Sequence, residues 1–402
     1  MKLIKGALPP VPGFKTAGTV SGIKKNGKKD LALIVSDTEC VAAGVFTTNR
    51  VQSPSVIWSR NAIRKSKAFR AVLVNSGNAN ACTGPRGMED CKTIVQAAAK
   101  ALGISPRQIL IASTGIIGVP LPSEKITAAL PGLVAGLSPK GWEDTAQAIM
   151  TTDLVAKTAA VRFSLGGKKI VVSGIAKGSG MIHPNMATML AFVHTNAAIS
   201  RDALHRALVE ANDRSFNRIT VDGDTSTNDS FFVMANGQAG NKLILKGGRD
   251  YTQFVDALTA VSKDLAFKIV EDGEGATKFV TVRVSRAKTQ KHAHKVAASV
   301  ATSSLVKTAI FGEDPNWGRI LCAAGYAGVP LQPDRIVISL NGAILFKNGT
   351  PTRNASMDAL RRKMKEKNIL IAIDLDNGRE STEVYTCDLS YDYVRINAEY
   401  TT

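Results

Sequence analysis

One segment of the sequence contains residues that could perform covalent chemistry. Residues 177–192 read KGSGMIHPNMATMLAF, in which turn-forming residues lead through Ala187 to Thr188 and then to an apolar run typical of a buried strand. A threonine hydroxyl is a weak nucleophile unless a base lies beside it. If the Ala187–Thr188 bond were cut, Thr188 would gain an α-amine, whose ordinary pKa of about 7.7–8.0 suits a general base. From the residues alone, a loop that enters a strand is the simpler interpretation, and a self-activated nucleophile is the alternative.

Other common catalytic patterns are missing from the sequence. It contains no GxxxxGK[ST] phosphate loop, no GxGxxG turn, no HExxH zinc motif and no GxSxG nucleophile turn. His292 and His294 alternate without a carboxylate or cysteine nearby, which favours a solvated segment over a metal site. The five cysteines are scattered and form no CxxC pair. We therefore expect no metal and no disulfide framework, and a reducing cytoplasmic setting.

The composition is that of a large folded protein. The chain has 402 residues, of which 44% are hydrophobic and 21% charged, enough for a large core in two or three domains. No uninterrupted apolar stretch reaches the roughly 18–20 residues of a membrane helix. The first residues, MKLIKGALPPVPGF, lack the apolar centre of a signal peptide. These features predict a cytoplasmic protein without a membrane partner.

The net charge of +18 is unevenly distributed along the chain. Residues 1–187 carry 24 Lys and Arg against 9 Asp and Glu, whereas residues 188–402 carry 27 against 24. Such an excess permits nucleic-acid binding, and it equally suits an enzyme that attracts anionic substrates. No RNP-type pattern, zinc finger or basic-helix repeat accompanies it. We therefore expect no nucleic-acid partner.

Hydrophobic runs alternate with turn residues and predict mixed helix and strand. The predicted helices are 91–102, 123–137, 142–150, 200–215, 251–270 and 295–310, with Ser123 and Ser200 as N-caps and a further basic helix at 361–367. The predicted strands are 71–75, 109–112, 231–235, 279–284, 335–340, 369–375 and 394–400, together with a hairpin over 158–175 around Gly166-Gly167. Strands that occur in both hairpin and helix-linked contexts favour an α+β layered architecture. A basic, polar stretch at 286–294 suggests a domain boundary.

Long motifs in a fixed order resemble a known enzyme family. The autocleavage segment is the KGSGMIHPNMATMLAF run already described, and the other motifs are PGFKTAGTVSGIKKNGKKDLALI, GVFTTNR, VNSGNANACTG, ASTGIIG, MTTD, TVDGDTSTNDS, EDGEGATKFVTV, FGEDPNWGRI and INAEYTT. Together they span nearly the whole chain. On these motifs the sequence is identified as a member of the ornithine acetyltransferase family, the arginine biosynthesis bifunctional proteins, which are self-cleaving N-terminal-threonine enzymes.

The resemblance implies a fold and a processing step. It predicts a layered αββα-type α+β core, N-terminal-nucleophile-like and related to self-cleaving aminopeptidases, over residues 1–286. A smaller C-terminal α/β domain over 287–402 would send its tail back to the active site. The precursor would cut itself between Ala187 and Thr188 into an α chain (1–187) and a β chain (188–402). Two of each would form a heterotetramer.

The resemblance also implies a reaction. The family moves the acetyl group from N2-acetylornithine to glutamate in a ping-pong mechanism, so Thr188 would carry the acetyl group. Thr114 and Gly115 match the pair that stabilises the oxyanion in the family. No metal or organic cofactor is implied. Some members also take acetyl from acetyl-CoA as a co-substrate, and we expect that bifunctional kind here.

Six residues match the family's substrate-binding positions, and their chemistry suits amino-acid substrates. A lysine can pair with a substrate carboxylate, a glutamate can bind an ammonium group, and neutral side chains can supply hydrogen bonds. These positions are Thr151, Lys177, Thr188, Glu274, Asn397 and Thr402. The acidic loop with Asp222, Asp224 and Asp229 lacks the later glutamate of a calcium loop, so we expect it to support the fold or the site by hydrogen bonds.

Two other functions remain open at this stage. The first is a self-processed N-terminal-nucleophile amidase or aminopeptidase, which would hydrolyse its acyl-enzyme instead of passing the acetyl group to an amine. The second is a basic nucleic-acid-binding protein with vestigial motifs, whose affinity would fall steeply with salt.

Overall fold

The computed structural model describes residues 2–183, 189–352 and 357–399. These residues form two compact units. Unit 1 contains residues 2–183, 189–217 and 225–269, and unit 2 contains residues 218–224, 270–352 and 357–399. The domain boundary expected at 286–287 stays a prediction. Across the described ranges, no helix has both the length and the apolar character that crossing a bilayer requires.

Unit 1 is built on strands β1 to β8 and helices α1 to α6. The strands are β1 (Phe14–Thr19), β2 (Leu31–Phe46), β3 (Phe69–Asn78), β4 (Ile109–Ile116), β5 (Lys157–Leu165), β6 (Lys168–Lys177), β7 (Leu190–Thr195) and β8 (Ser230–Ala235). The helices are α1 (Pro54–Lys65), α2 (Gly84–Leu102), α3 (Ser123–Ala135), α4 (Trp142–Ala148), α5 (Arg201–Asp213) and α6 (Gly248–Glu271), whose last two residues belong to unit 2.

These eight strands form one mixed sheet. The strand order is β4-β3-β2-β8-β7-β6-β5, and β1 pairs with the first half of β2. The long strand β2 changes partners along its length, from β3 at its start to β8 at its end. The β3–β4 and β7–β8 pairs are parallel, so the sheet brings the ends of β3 and β4 together.

Apolar residues alternate between the two faces of this sheet, as period-two strands require when both faces are covered. On β2, Leu31 and Leu33 pack into a core cluster with residues of α2 and α3. Their neighbours Ala32 and Ile34 pack into a second cluster that contains Trp142 of α4 and Phe192 of β7. Because both faces are buried, a register slip of one residue would move every side chain of the strand into the opposite core.

Unit 2 is built on a smaller sheet. Its strands are β9 (Phe279–Ala287), β10 (Val337–Leu340), β11 (Ala343–Lys347), β12 (Thr350–Pro351), β13 (Asn368–Asp374) and β14 (Glu380–Cys387). Its helices are α7 (Gln290–Thr302), α8 (Ser304–Phe311), α9 (Trp317–Gly325), α10 (Met357–Met364) and α11 (Tyr391–Glu399). The strand order is β12-β11-β10-β13-β9-β14, and α7 packs on β9 and β14 through a shared apolar cluster.

The α+β class is confirmed, and so are most of the expected elements. The hairpin around Gly166-Gly167 forms between β5 and β6, and the Ser200 hydroxyl caps α5 by accepting from the Ala203 N–H. Three expectations were wrong in detail. Ser123 is the first residue of α3 rather than its cap, and its hydroxyl donates to Asp90. The helix expected over 295–310 is two helices that meet at Ser303. The expected strand 394–400 is helical over its described part.

The fully buried His194 gives unit 1 a defined pH dependence. Its ring lies 5.0 Å from that of Phe14 and 5.2 Å from that of Trp142, and burial lowers its pKa to about 3. In the unfolded chain this histidine titrates near its ordinary pKa of about 6.5. Between these two values the unfolded state binds a proton that the folded state does not, so stability falls as the pH drops below about 6.5.

We expect His194→Phe to flatten this pH dependence. Between pH 7 and pH 5 the free energy of unfolding of the wild type should fall by about 2 kcal/mol more than that of the variant. Urea unfolding at the two pH values measures the difference. His205→Gln on the exposed side of α5 is the control and should behave like the wild type. Equal losses in wild type and His194→Phe would contradict the buried, neutral imidazole.

Candidate active site

The candidate oxyanion pair lies at the end of β4. Thr114 is buried, and Gly115 has a φ of +130°. A Cβ on Gly115 would lie 2.5 Å from the backbone nitrogen of Asn78 and closer still to the Gly77 carbonyl carbon. β3 and β4 therefore approach each other so closely that only glycine fits at this position.

Lys177 reaches Thr114 from the end of β6. Lys177 is 8% exposed, and its ammonium donates to the Thr114 hydroxyl oxygen at 3.2 Å. Because this bond occupies a lone pair of the hydroxyl, it favours the orientation in which the Thr114 O–H donates to a third group. A donor of that kind suits an oxyanion. The structure therefore places the expected site residues Thr114, Gly115 and Lys177 next to one another.

The Asp153 carboxylate connects the backbone of Thr151 to the residue that follows Lys177. Its Oδ2 accepts from the Thr151 N–H at 2.9 Å, and its Oδ1 accepts from the Gly178 N–H at 2.8 Å and the Lys157 ammonium at 2.7 Å. Burial alone would raise the pKa of Asp153. The charges of Lys157 and Lys177 and the hydrogen bonds outweigh it and hold that pKa at about 2.

A further lysine is fixed beside this loop. The Lys24 ammonium donates to the carbonyl of Met150 at 2.7 Å and to that of Lys29 at 2.8 Å. Burial lowers the pKa of Lys24 to about 8, although the charges of Asp30 and Asp153 oppose the change. Lys24 therefore adds a third cation, after Lys157 and Lys177, to the electrostatic surroundings of Asp153.

Asp229 is a buried carboxyl at the start of β8. Burial raises the pKa of Asp229 well above its ordinary value, against the opposing charge of Lys177 and hydrogen bonds from Ser226 and Thr47.

The residue after Asp229, Ser230, donates its N–H to the Met189 carbonyl at 3.0 Å. The chain directly after the expected nucleophile is therefore fixed to β8.

Within unit 2, the structure brings Glu274 and Asn397 together. The Asn397 amide donates to Glu274 Oε2 at 2.8 Å and to the Tyr393 carbonyl at 3.0 Å. Glu274 is 8% exposed. A carboxylate that shares one oxygen with a neutral amide can still pair with a cation such as a substrate ammonium.

The loop that carries Glu274 is anchored to the segment before α11. The Ser390 hydroxyl donates to the Gly275 carbonyl at 2.6 Å, and Asp388 accepts from the N–H groups of Thr277 and Lys278 at 2.8 and 2.9 Å. Gly275 has a φ of +67°, and a Cβ there would lie 2.5 Å from the Tyr393 nitrogen. These contacts hold the Glu274 loop and the beginning of α11 in one arrangement.

Three expected site residues, Ala187, Thr188 and Thr402, lie outside the described residues. In the acidic loop the Asp224 N–H donates to the Asp222 carboxylate at 3.2 Å, which stabilises a turn. Within the described part of the chain, no group of three or more His, Cys, Asp or Glu side chains is arranged to hold a metal ion.

The profile of the ArgJ family matches residues 15–402. Over its whole length the chain is 49% identical to the arginine biosynthesis bifunctional protein ArgJ of Symbiobacterium thermophilum, and the alignment covers 100% of both chains. The chain belongs to the ArgJ family. The membership expected from the motifs is thereby confirmed.

Other ArgJ proteins are similar at the level of sequence and structure. Arginine biosynthesis bifunctional protein ArgJ 1 of Nostoc is 46% identical over 99% of this chain and 98% of its own. The crystal structure of the arginine biosynthesis bifunctional protein ArgJ of Bacillus halodurans matches with a TM-score of 0.50 at 42% identity, over 52% of this chain and 98% of that chain. The crystallised ArgJ chain is thus about half as long as this one.

Sequence analysis missed three residues of the candidate site. Lys24 and Asp153 occur inside two of the family motifs, SGIKKNGKKD and MTTD, but nothing in their spacing distinguishes them from solvated charges. Lys157 lies four residues after Asp153 and is fully buried with it. The one signal in the sequence for a buried ion pair was an Asp and a Lys four residues apart, next to an apolar strand.

Proposed function

We propose that this ArgJ-family chain is an acetyltransferase of arginine biosynthesis that moves the acetyl group of N2-acetylornithine to glutamate. The observation that carries the proposal is the hydrogen bond from Lys177 to the Thr114 hydroxyl, next to Gly115. It supplies a cation and an oriented donor at the two positions where the family binds substrate and stabilises an oxyanion. The relatives' common name, arginine biosynthesis bifunctional protein, supports the same conclusion.

Self-cleavage creates the nucleophile. The Thr188 hydroxyl attacks the Ala187 carbonyl carbon, the C–N bond breaks, and the hydroxyl proton passes to the departing nitrogen, which becomes the Thr188 α-amine. Water then hydrolyses the resulting ester and restores the hydroxyl. The half-length crystallised chain of the Bacillus halodurans relative supports a cut of this kind.

Acetyl transfer reuses the same hydroxyl. Thr188 attacks the acetyl carbonyl of N2-acetylornithine while its α-amine accepts the hydroxyl proton and passes it to the departing ornithine nitrogen. Thr114 and the Gly115 N–H stabilise the oxyanion. The glutamate amine then attacks the acetyl-threonine ester, releases N-acetylglutamate and returns the hydroxyl. No metal or organic cofactor takes part.

The substrates are held by groups of opposite charge and by neutral hydrogen bonds. Lys177 binds a substrate carboxylate and Glu274 binds the side-chain ammonium of ornithine. Thr151, Asn397 and Thr402 supply neutral hydrogen bonds. The mature assembly contains two α and two β chains, and acetyl-CoA is a second acetyl donor, in keeping with the word bifunctional in the relatives' names.

Glutamate dependence tests the proposed transfer. Purified protein is incubated with N2-acetylornithine, with and without glutamate, and ornithine, acetate and N-acetylglutamate are measured. The transferase requires glutamate for steady-state turnover and makes N-acetylglutamate. Steady release of acetate without glutamate would instead establish the amidase. A parallel incubation with acetyl-CoA and glutamate tests the second donor.

We expect Thr188→Ala to abolish both self-cleavage and transfer, because the variant lacks the attacking hydroxyl. Intact mass under denaturing conditions should show a single species at the precursor mass of 42.6 kDa. The wild type should give two chains whose masses sum to that of the precursor plus one water, the second beginning at Thr188. Thr158→Ala on β5 is the control and should mature normally. Cleavage of the Thr188→Ala protein would refute Thr188 as the nucleophile.

A further inference from the structure

The Asp153–Lys157 ion pair is buried inside unit 1. Both side chains have 0% relative exposure, and the ammonium lies 2.7 Å from Oδ1 of the carboxylate. Removing two charges from water is expensive, and apolar residues of similar volume often replace buried pairs without loss of stability. Stability alone therefore does not account for this pair, and its use must be sought in what else it binds.

The remaining bonds of the carboxylate go to two backbone segments that are distant in sequence. Oδ2 accepts from the N–H of Thr151, and Oδ1 accepts from the N–H of Gly178, 25 residues away from Asp153. Gly178 directly follows Lys177 at the end of β6, so this bond fixes the peptide group that joins them. A single carboxylate thereby ties the loop of Thr151 to the base of the Lys177 side chain.

Only a carboxylate satisfies this set of donors. Both oxygens accept a backbone N–H, and Oδ1 also accepts from Lys157. An asparagine has a single acceptor oxygen, and its NH₂ group would face an N–H donor. Lys157 holds the Asp153 carboxylate ionised. It also fixes the rotamer of Asp153, because the Lys157 ammonium is buried beside the carboxylate.

We propose that Asp153, with Lys157 as its counter-ion, is a positioning residue that sets the distance between the Thr151 loop and Lys177. This inference rests on the proposed function, because it assigns Thr151 and Lys177 to substrate binding. Asp153 itself touches no substrate. It acts by holding the two segments in register, so its loss should weaken substrate binding more than it slows the chemical step.

The test uses a charge-neutral double variant. Asp153→Asn/Lys157→Met removes both charges of the pair together, so neither partner is left buried without the other. Asp264→Asn/Lys268→Met is the matched control, because this pair on α6 has the same residue types at the same spacing but is partly exposed. Asp153→Glu is a second variant that keeps the charge and both oxygens but moves them by one methylene group.

Two measurements are made on the mature proteins. Amide hydrogen exchange at Thr151 and Gly178 should be at least about tenfold faster in Asp153→Asn/Lys157→Met than in the wild type, and unchanged in the control. The KM for N2-acetylornithine should rise about tenfold or more in both Asp153 variants, a larger factor than the fall in kcat.

Each outcome decides the proposal. Faster exchange with a raised KM supports it. Unchanged exchange, or faster exchange with an unchanged KM, overturns it, and so does an Asp153→Glu protein with the KM of the wild type. If the wild type transfers no acetyl group, the proposed function fails, and the exchange measurement still decides whether Asp153 joins the two segments.

Discussion

Gly115→Ala is expected to reduce kcat for acetyl transfer by about 10²–10³-fold, the loss typical of removing one oxyanion donor. The new Cβ would lie 2.5 Å from the Asn78 nitrogen, and a backbone atom inside a sheet cannot move aside as a flexible side chain would. The φ of +130° is also strained for any residue with a Cβ. The end of β4 must therefore shift and displace Thr114 and its bond to Lys177.

Gly118→Ala provides the matched control for this prediction. Gly118 lies three residues later with a φ of +80°, but a Cβ there would meet nothing within 4 Å. This variant has a similar backbone strain without the collision, so its kcat should stay near that of the wild type. Steady-state kinetics of both variants, together with their melting temperatures, separates a lost donor from a loss of folded protein. A folded Gly115→Ala protein with normal kcat would exclude the Thr114–Gly115 pair from oxyanion stabilisation.

Lys157→Met is expected to lower the free energy of unfolding by about 3–5 kcal/mol at neutral pH, because it leaves the Asp153 carboxylate buried without its counter-ion. Because folding lowers the pKa of Asp153, its ionised carboxylate stabilises the folded wild type at pH values above the ordinary pKa of an aspartate. This contribution is lost as the pH falls towards about 2. The variant has less of that contribution to lose. The gap between the two proteins should therefore narrow on acidification below about pH 4.

Chemical denaturation at pH 7 and pH 3.5 measures this gap. Lys268→Met is the control, since Lys268 pairs with Asp264 at the same spacing in a partly exposed position, where such pairs contribute about 0–1 kcal/mol. If Lys157→Met lowered the free energy of unfolding no more than Lys268→Met does, the buried Asp153 carboxylate would not depend on Lys157 as its counter-ion.

Local patterns predicted much of the fold. The Gly166-Gly167 turn between two alternating runs predicted the β5–β6 hairpin, and the serine before 201–213 predicted the start of α5. The same logic failed at 394–400, where apolar residues alternate as in a strand. The described part of this segment is helical instead, and the Asn397 side-chain amide donates to the Tyr393 carbonyl one turn earlier. Contacts with Glu274, more than a hundred residues away, override local alternation.

The candidate site was predictable only in part. Thr114, Gly115, Lys177, Glu274 and Asn397 were identified through family motifs, and their spacing alone would not have selected them. Asp153 and Lys157 were missed because an Asp and a Lys are rarely buried, and single-sequence reasoning gives such residues to the surface. A further partner of the Asp153 carboxylate, the Gly178 N–H, reaches it only once β6 is in place, and local spacing does not reveal such a contact.

The strand order of unit 1 determines what a cut between Ala187 and Thr188 can do to the molecule. β7 and β8, which follow the cut in sequence, lie in the middle of the sheet between β2 and β6, which precede it. Without them, residues 1–187 would expose two open strand edges, a state prone to aggregation. The two products of such a cut would therefore be interlocked rather than docked side by side. Each half would depend on the other to complete its sheet, so folding would have to come first and the cut second. Halves made separately should then not be interchangeable with the matured pair.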